Sequence, residues 1–141
     1  MLEIFDSLCI LLAKAEQKHF LYTKRALDEA KLELSPGQLV VLYALYKKDN
    51  ISISELSKKI FLDNSTLTGL IDRLERVDLV KRVDVPHDRR SYQICLTAKA
   101  RKIEQQTKQV MRDIEHKMLE NCSESEIATL RSVLGRIYAN F

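Results

Sequence analysis

Apolar residues recur at helical spacing along most of this chain, and the pattern gives way to strict alternation in one place only. Phe5, Leu8, Cys9, Leu12, Ala15, His19, Phe20 and Tyr22 lie near one face of a long N-terminal amphipathic helix. That helix should stop near Glu33, because Ser35-Pro36-Gly37-Gln38 starts another. Ser35 caps, Pro36 takes the first helical position, and Gln38 completes a capping box. The stretch from Gln38 to Lys48, QLVVLYALYKK, is apolar nearly all round. It predicts a buried central helix.

Ser52-Ile53-Ser54-Glu55 reads as a second capping box, opening a short helix, SELSKKIF. Asp63 caps the next helix, with Asn64, Ser65 and Thr66 in its first turn. Leu67, Leu70, Ile71 and Leu74 form its core stripe, and Thr66, Arg73 and Arg76 lie off it. Val80 to Val83 and Tyr92 to Leu96 predict two strands. The second sets Tyr92, Ile94 and Leu96 against Gln93 and Cys95. Asp84 to Ser91, holding Pro86, is the connection. Thr97 caps a long helix carrying Ile103, Thr107, Val110, Ile114 and Met118. A third capping box at Ser123-Glu124-Ser125-Glu126 opens a last helix with Ile127, Leu130, Val133, Leu134, Ile137 and Phe141.

The pattern predicts a mainly α fold of six helices with a small β wing, a winged helix-turn-helix. Such a unit sets one helix in the DNA major groove, and its wing reaches a neighbouring groove. No repeat, linker or low-complexity segment interrupts it. The 141 residues therefore read as one domain. Residues 33–97 form the winged lobe, and residues 1–32 and 98–141 supply helices with more apolar surface than one small domain buries. A homodimer joined through those helices is expected.

Composition narrows the class. With only 3 Gly and 2 Pro, long helices are favoured over a turn-rich β fold. The net charge of +3 suits an anionic partner without identifying one. No apolar run reaches membrane-spanning length, and the acidic start makes a poor signal peptide. Cys9, Cys95 and Cys122 form no CxxC, so a reducing cytoplasm is expected. His19, His87 and His116 lack metal-ligand spacing, and no P-loop, GxSxG or GxGxxG occurs. Neither a metal, a cofactor nor an enzymatic activity is expected.

Two places carry candidate chemistry. Asn64, Ser65, Thr66 and Thr68 are short polar residues at a helix N-terminus, suited to base edges and to phosphate. The bland alternative is capping alone. On the wing, His87, Asp88, Arg89 and Arg90 form an exposed turn. An arginine there enters a narrow minor groove, and Asp88 is placed to hold the Arg90 side chain. The alternative is a solvated hairpin tip. Acids nearly match bases from Ser52 to Thr97, and Asp72, Glu75 and Asp78 sit among the arginines. A positive surface therefore requires the charges to segregate.

The runs Leu62-Asp63-Asn64-Ser65-Thr66-Leu67-Thr68, Ile71-Asp72-Arg73-Leu74-Glu75 and Leu79-Val80-Lys81-Arg82, with Asp88-Arg89-Arg90 and the closing Leu96-Thr97, resemble the MarR family of bacterial and archaeal transcriptional regulators. The resemblance covers nearly the whole chain. It implies a homodimer joined by the first and last two helices, double-stranded DNA as partner, and a ligand cleft between the dimer region and the DNA-binding lobes. It also implies a regulator, most often a repressor, on an inverted-repeat operator. The DNA contacts would come from Asn64, Ser65, Thr66, Thr68, Arg73, Arg89 and Arg90. Phe5, His19, Phe20 and Tyr43 are candidates for a cleft that takes an aromatic or amphipathic effector, and are equally candidates for core.

Two positions depart from the family pattern: Gly69, where a larger and often basic residue is usual, and Asp78, where Gly usually ends the helix. Leu8-Cys9-Ile10-Leu11-Leu12 is similar to the start of the peroxide-sensing OhrR branch, in which tyrosines support a first-helix cysteine. Ala13 stands four residues on instead of Tyr. Cys9 is accordingly read as a packing residue on the apolar stripe, with a redox switch as the rival. A protein-interaction adaptor that keeps the fold without binding DNA is the second rival.

Overall fold

The computed structural model describes residues 7–141, apart from the side chain of Arg89; Phe5 lies outside the described residues. The elements run α1 (Leu8–Glu29), α2 (Pro36–Lys47), β1 (Ile51–Ser52), α3 (Ile53–Ile60), α4 (Asn64–Arg76), β2 (Val80–Val85), β3 (Asp88–Leu96), α5 (Ala98–Lys102), α6 (Glu104–Met118) and α7 (Glu124–Ala139).

The core gathers around α2. Leu39, Val41, Leu42 and Leu45 are fully buried against Leu56 of α3, Leu67, Ile71 and Leu74 of α4, and Ile94 of β3. Burying a Leu or Ile side chain stabilises by about 1.5–3 kcal/mol, so this apolar contact holds α4 and the wing in register. The stripe Leu67, Leu70, Ile71 and Leu74 is buried as its spacing predicts, which leaves the opposite face of α4 outward.

The start signals fold as written at most helices. Ser35 and Ser123 each form a complete capping box, with Gln38 and Glu126. The box at Ser52 forms by half. Ser52 Oγ accepts from the Glu55 N–H at 3.1 Å, but the Glu55 carboxylate is drawn to Lys48 instead. The first helix ends at Glu29, before the predicted Glu33. Lys31 is left-handed there (φ 57°), and the Leu32 N–H returns to the Leu27 carbonyl at 3.0 Å. Asp78 does take the left-handed conformation that ends α4 (φ 60°).

Among the described residues seven helices form rather than six, because the helix after Thr97 breaks at Ile103 (φ −98°, ψ 5°). The Ile103 carbonyl accepts both the Thr107 N–H at 2.9 Å and the Thr107 hydroxyl at 2.7 Å. Such back-bonding by a threonine bends helices.

The wing is a sheet of order β1-β3-β2, antiparallel throughout. β1 was not expected: Ile51 pairs with Ile94, which adds a third strand. The hairpin also extends beyond the predicted strands. Its register steps from Asp84 opposite Tyr92 to Val85 opposite Asp88, so residues 89–91 bulge from the ladder. His87 closes the turn with a positive φ of 73°.

Candidate nucleic-acid interface

Asp63 organises the start of α4. One carboxylate oxygen accepts from the Thr66 N–H at 2.7 Å, and the other accepts from the Thr66 hydroxyl at 2.9 Å. These bonds, the backbone one first, hold its carboxyl below the usual carboxylate range. The Thr68 hydroxyl donates to the Asn64 carbonyl at 2.7 Å. Both threonine hydroxyl hydrogens are therefore committed inside the helix. What Thr66 and Thr68 offer outward is a lone pair and a methyl group. Asn64 and Ser65 are exposed, and among the described residues their side chains make no hydrogen bond. They keep donor and acceptor capacity for a base edge.

Two of the acids among the arginines are paired off. Arg82, on β2, donates to Asp72 at 2.6 Å and to Glu75 at 2.7 Å, with the Tyr92 ring 5.4 Å from its guanidinium. Two acids of α4 are thereby neutralised from the wing side. Among the described residues, Arg73, Arg76 and Arg90 form no ion pair and are exposed. Arg73 Nη2 lies 3.9 Å from where a β-carbon on Gly69 would stand. Arg82 was named in the sequence within the run Leu79–Arg82, but not among the candidates for a DNA contact. Its partners lie seven and ten positions away on another element, at no spacing that periodicity reveals.

At the wing tip, Asp88 does not hold the Arg90 side chain as expected. Its oxygens accept from the Ser91 hydroxyl at 2.6 Å and from the Arg90 backbone N–H at 3.0 Å. Those two bonds, in that order, lower its carboxyl. Asp88 thus shapes the bulge that carries Arg90 and leaves the guanidinium free for solvent or DNA. The side chain of Arg89 lies outside the described residues.

A groove runs between α1, α2 and α6 in two lobes that share His19, Ile114 and Met118. One lobe, of about 590 Å³, adds Tyr22, Arg25 and Lys117. The other, of about 450 Å³, adds Tyr43, Lys47, Lys108 and Arg112, with Glu115 as its single acid. Of the four cleft candidates, His19 and Tyr43 line this groove, Phe20 lines neither lobe, and Phe5 is outside the described residues.

Apolar surface stays uncovered at the helical ends. Leu8, Leu11 and Leu12 of α1 and Leu130, Leu134, Ile137 and Tyr138 of α7 are exposed, and α7 buries no residue. Cys9 shares that exposure. The expectation that it is buried therefore fails within one chain. Among the described residues, no tyrosine hydroxyl bonds its sulfur.

The MarR family model matches residues 34–92. The uncharacterized HTH-type transcriptional regulator YsmB of Bacillus subtilis is 36% identical over 104 residues, covering 74% of this chain and 71% of that protein. The HTH-type transcriptional regulator PecS of Dickeya dadantii is 33% identical over 118 residues, covering 80% and 71%. Among solved structures, a mutant MarR from E. coli complexed with operator DNA superposes with a TM-score of 0.80 at 27% identity, over 92% of each chain. With the winged lobe, its outward polar helix start and these relatives together, the chain belongs to the MarR family and is a DNA-binding regulator of transcription.

Proposed function

We propose that this protein is a homodimeric repressor that binds an inverted-repeat operator and is released by a small amphipathic anion. The observation that carries the reading is the double ion pair of Arg82 with Asp72 and Glu75. It takes the acids of α4 out of play and leaves Arg73, together with the polar start of the helix, to meet DNA. Arg73 and Arg76 supply charge for phosphates, and Asn64 and Ser65 meet base edges. Thr66 and Thr68 accept from base amino groups or touch thymine methyls. Arg90 enters the minor groove from the bulged wing.

The uncovered apolar faces of α1 and α7 support dimerisation, and a dimer places two reading helices about one helical turn apart, roughly 34 Å. Repression follows where such a dimer covers a promoter. The groove supports release by ligand: its apolar walls and excess of cations favour an amphipathic anion. A gel shift on the DNA upstream of the protein's own gene, at two salt concentrations, tests the reading. A retarded band that weakens with salt is expected. No retardation at low salt sinks it in favour of a protein-interaction adaptor.

A second reading has one observation behind it. Cys9 is exposed, as a redox switch requires. The lack of tyrosine donors at its sulfur among the described residues weighs against it. Peroxide added to the same gel shift separates the two.

A further inference from the structure

Three ion pairs run end to end from the groove to the root of the wing. Lys108, which lines the groove, holds one oxygen of Glu104 at 3.0 Å. The other oxygen of Glu104 accepts from Arg101 at 2.8 Å. Arg101 then reaches Asp49 at 3.0 Å. Asp49 in turn accepts from the backbone N–H of Leu96, the last residue of β3, at 2.8 Å, and from that of Asn50 at 2.8 Å.

The path crosses the break at Ile103. Lys108 and Glu104 stand on α6, Arg101 on α5, and Asp49 in the turn between α2 and β1. From inside, α5 is fixed to α2, because the buried Tyr46 hydroxyl donates to the Ala100 carbonyl at 2.7 Å. The angle of α6 to α5 has no continuous helix to set it. The outer charges bridge that joint. Each pair alone is weak at this exposure. Glu104 is shared between two cations and Arg101 between two acids, so loss of one end redistributes the rest.

The other cations of this lobe are held elsewhere: Lys47 lies over the Tyr43 ring at 4.7 Å, and Arg112 donates to Gln109 at 2.8 Å. An entering anion that takes Lys108 takes it from Glu104. We propose that the chain Lys108–Glu104–Arg101–Asp49 is the link through which occupation of the groove moves the wing. This rests on the ligand reading above, yet the link itself exists without ligand or DNA and is tested without either.

The test is amide hydrogen exchange by NMR on the full chain. Lys108→Met should speed exchange at Leu96 and Asn50 by about threefold to tenfold. Glu104→Gln should do the same, and Lys108→Arg should keep the wild-type rate. Lys117→Met, whose partner Glu120 lies off the chain, is the control and should change neither amide. Unchanged exchange at Leu96 in Lys108→Met overturns the link, as does an equal change in Lys117→Met. A double-mutant cycle of Asp49→Asn with Lys108→Met, read as DNA affinity, adds a functional arm. Non-additive effects support the proposal, and additive effects overturn it. Wild-type protein that binds no DNA sinks the proposed function instead and leaves the exchange result to decide the link.

Discussion

Arg82 of β2 grips Asp72 of α4 at 2.6 Å, and its second nitrogen holds Glu75 at 2.7 Å. One cation thereby joins the wing to α4, the helix proposed to read DNA, and masks two negative charges there. Arg82→Met should cost about 1 kcal/mol of stability, the scale of partly exposed pairs. Its effect on DNA binding should be larger at low salt, because two bare carboxylates then repel phosphate. The gap should narrow as salt screens them. Fluorescence anisotropy at two ionic strengths checks this. Equal loss at both would show that Arg82 acts by packing alone.

Arg90→Ala should weaken operator binding while the melting temperature stays unchanged, since the side chain is exposed and unpaired among the described residues. If the contact is to phosphate, the salt slope should fall by about one per subunit. Asp88→Ala should mimic it in part by releasing the bulge, although Asp88 itself carries no favourable charge for DNA.

Asn64→Ala should relax sequence preference at one base pair per half-site by about 1–3 kcal/mol of discrimination. Thr66→Val should be milder at bases that need no acceptor, because the hydroxyl hydrogen is already spent on Asp63. A binding assay on operator variants carrying each base at each position reads both. Equal loss of affinity on every sequence in Asn64→Ala would make Asn64 a backbone contact.

Stability should fall as pH drops through the acid range. The carboxyls of Asp63, Asp88 and Glu104 all sit below their ordinary values, held by the Thr66 N–H, the Ser91 hydroxyl and Lys108 respectively. A group lowered in the folded state contributes stability fully above its unfolded pKa, near 4. It loses that contribution as pH falls through the folded value. Asp63→Asn keeps a capping side chain but removes one such titration, so its melting temperature should decline less steeply below about pH 4. A parallel decline would rule out Asp63 as a contributor.

Leu134→Asp should convert a dimer to single chains by placing a charge on the uncovered face of α7, where Leu130, Leu134 and Ile137 are exposed. Light scattering on wild type and variant decides it. A wild type of one-chain mass would remove the dimer and with it the two-fold operator.

Local signals were legible in the residues because their physics spans only a few positions. Caps at Ser35, Asp63, Thr97 and Ser123 act within one turn, and the stripe of α4 repeats every three to four residues, so both could be read before any fold existed. The left-handed end at Asp78 belongs to the same class. The tertiary structure decided what depends on distant partners. Glu55 abandons half a capping box because Lys48, seven positions back, comes within reach. Ile51 becomes a strand only because Ile94 lies beside it. Asp88 bonds the Ser91 hydroxyl and the Arg90 N–H rather than the Arg90 guanidinium, in a bulge that the alternation of the strand did not foretell. The charge balance of the winged lobe was visible as a sum, but which acids are paired off rests on Arg82 lying across Asp72 and Glu75, a relation of elements in space. Cys9 lies on an apolar stripe by periodicity, yet periodicity says only which residues share a face, and in the single chain Cys9 itself is exposed.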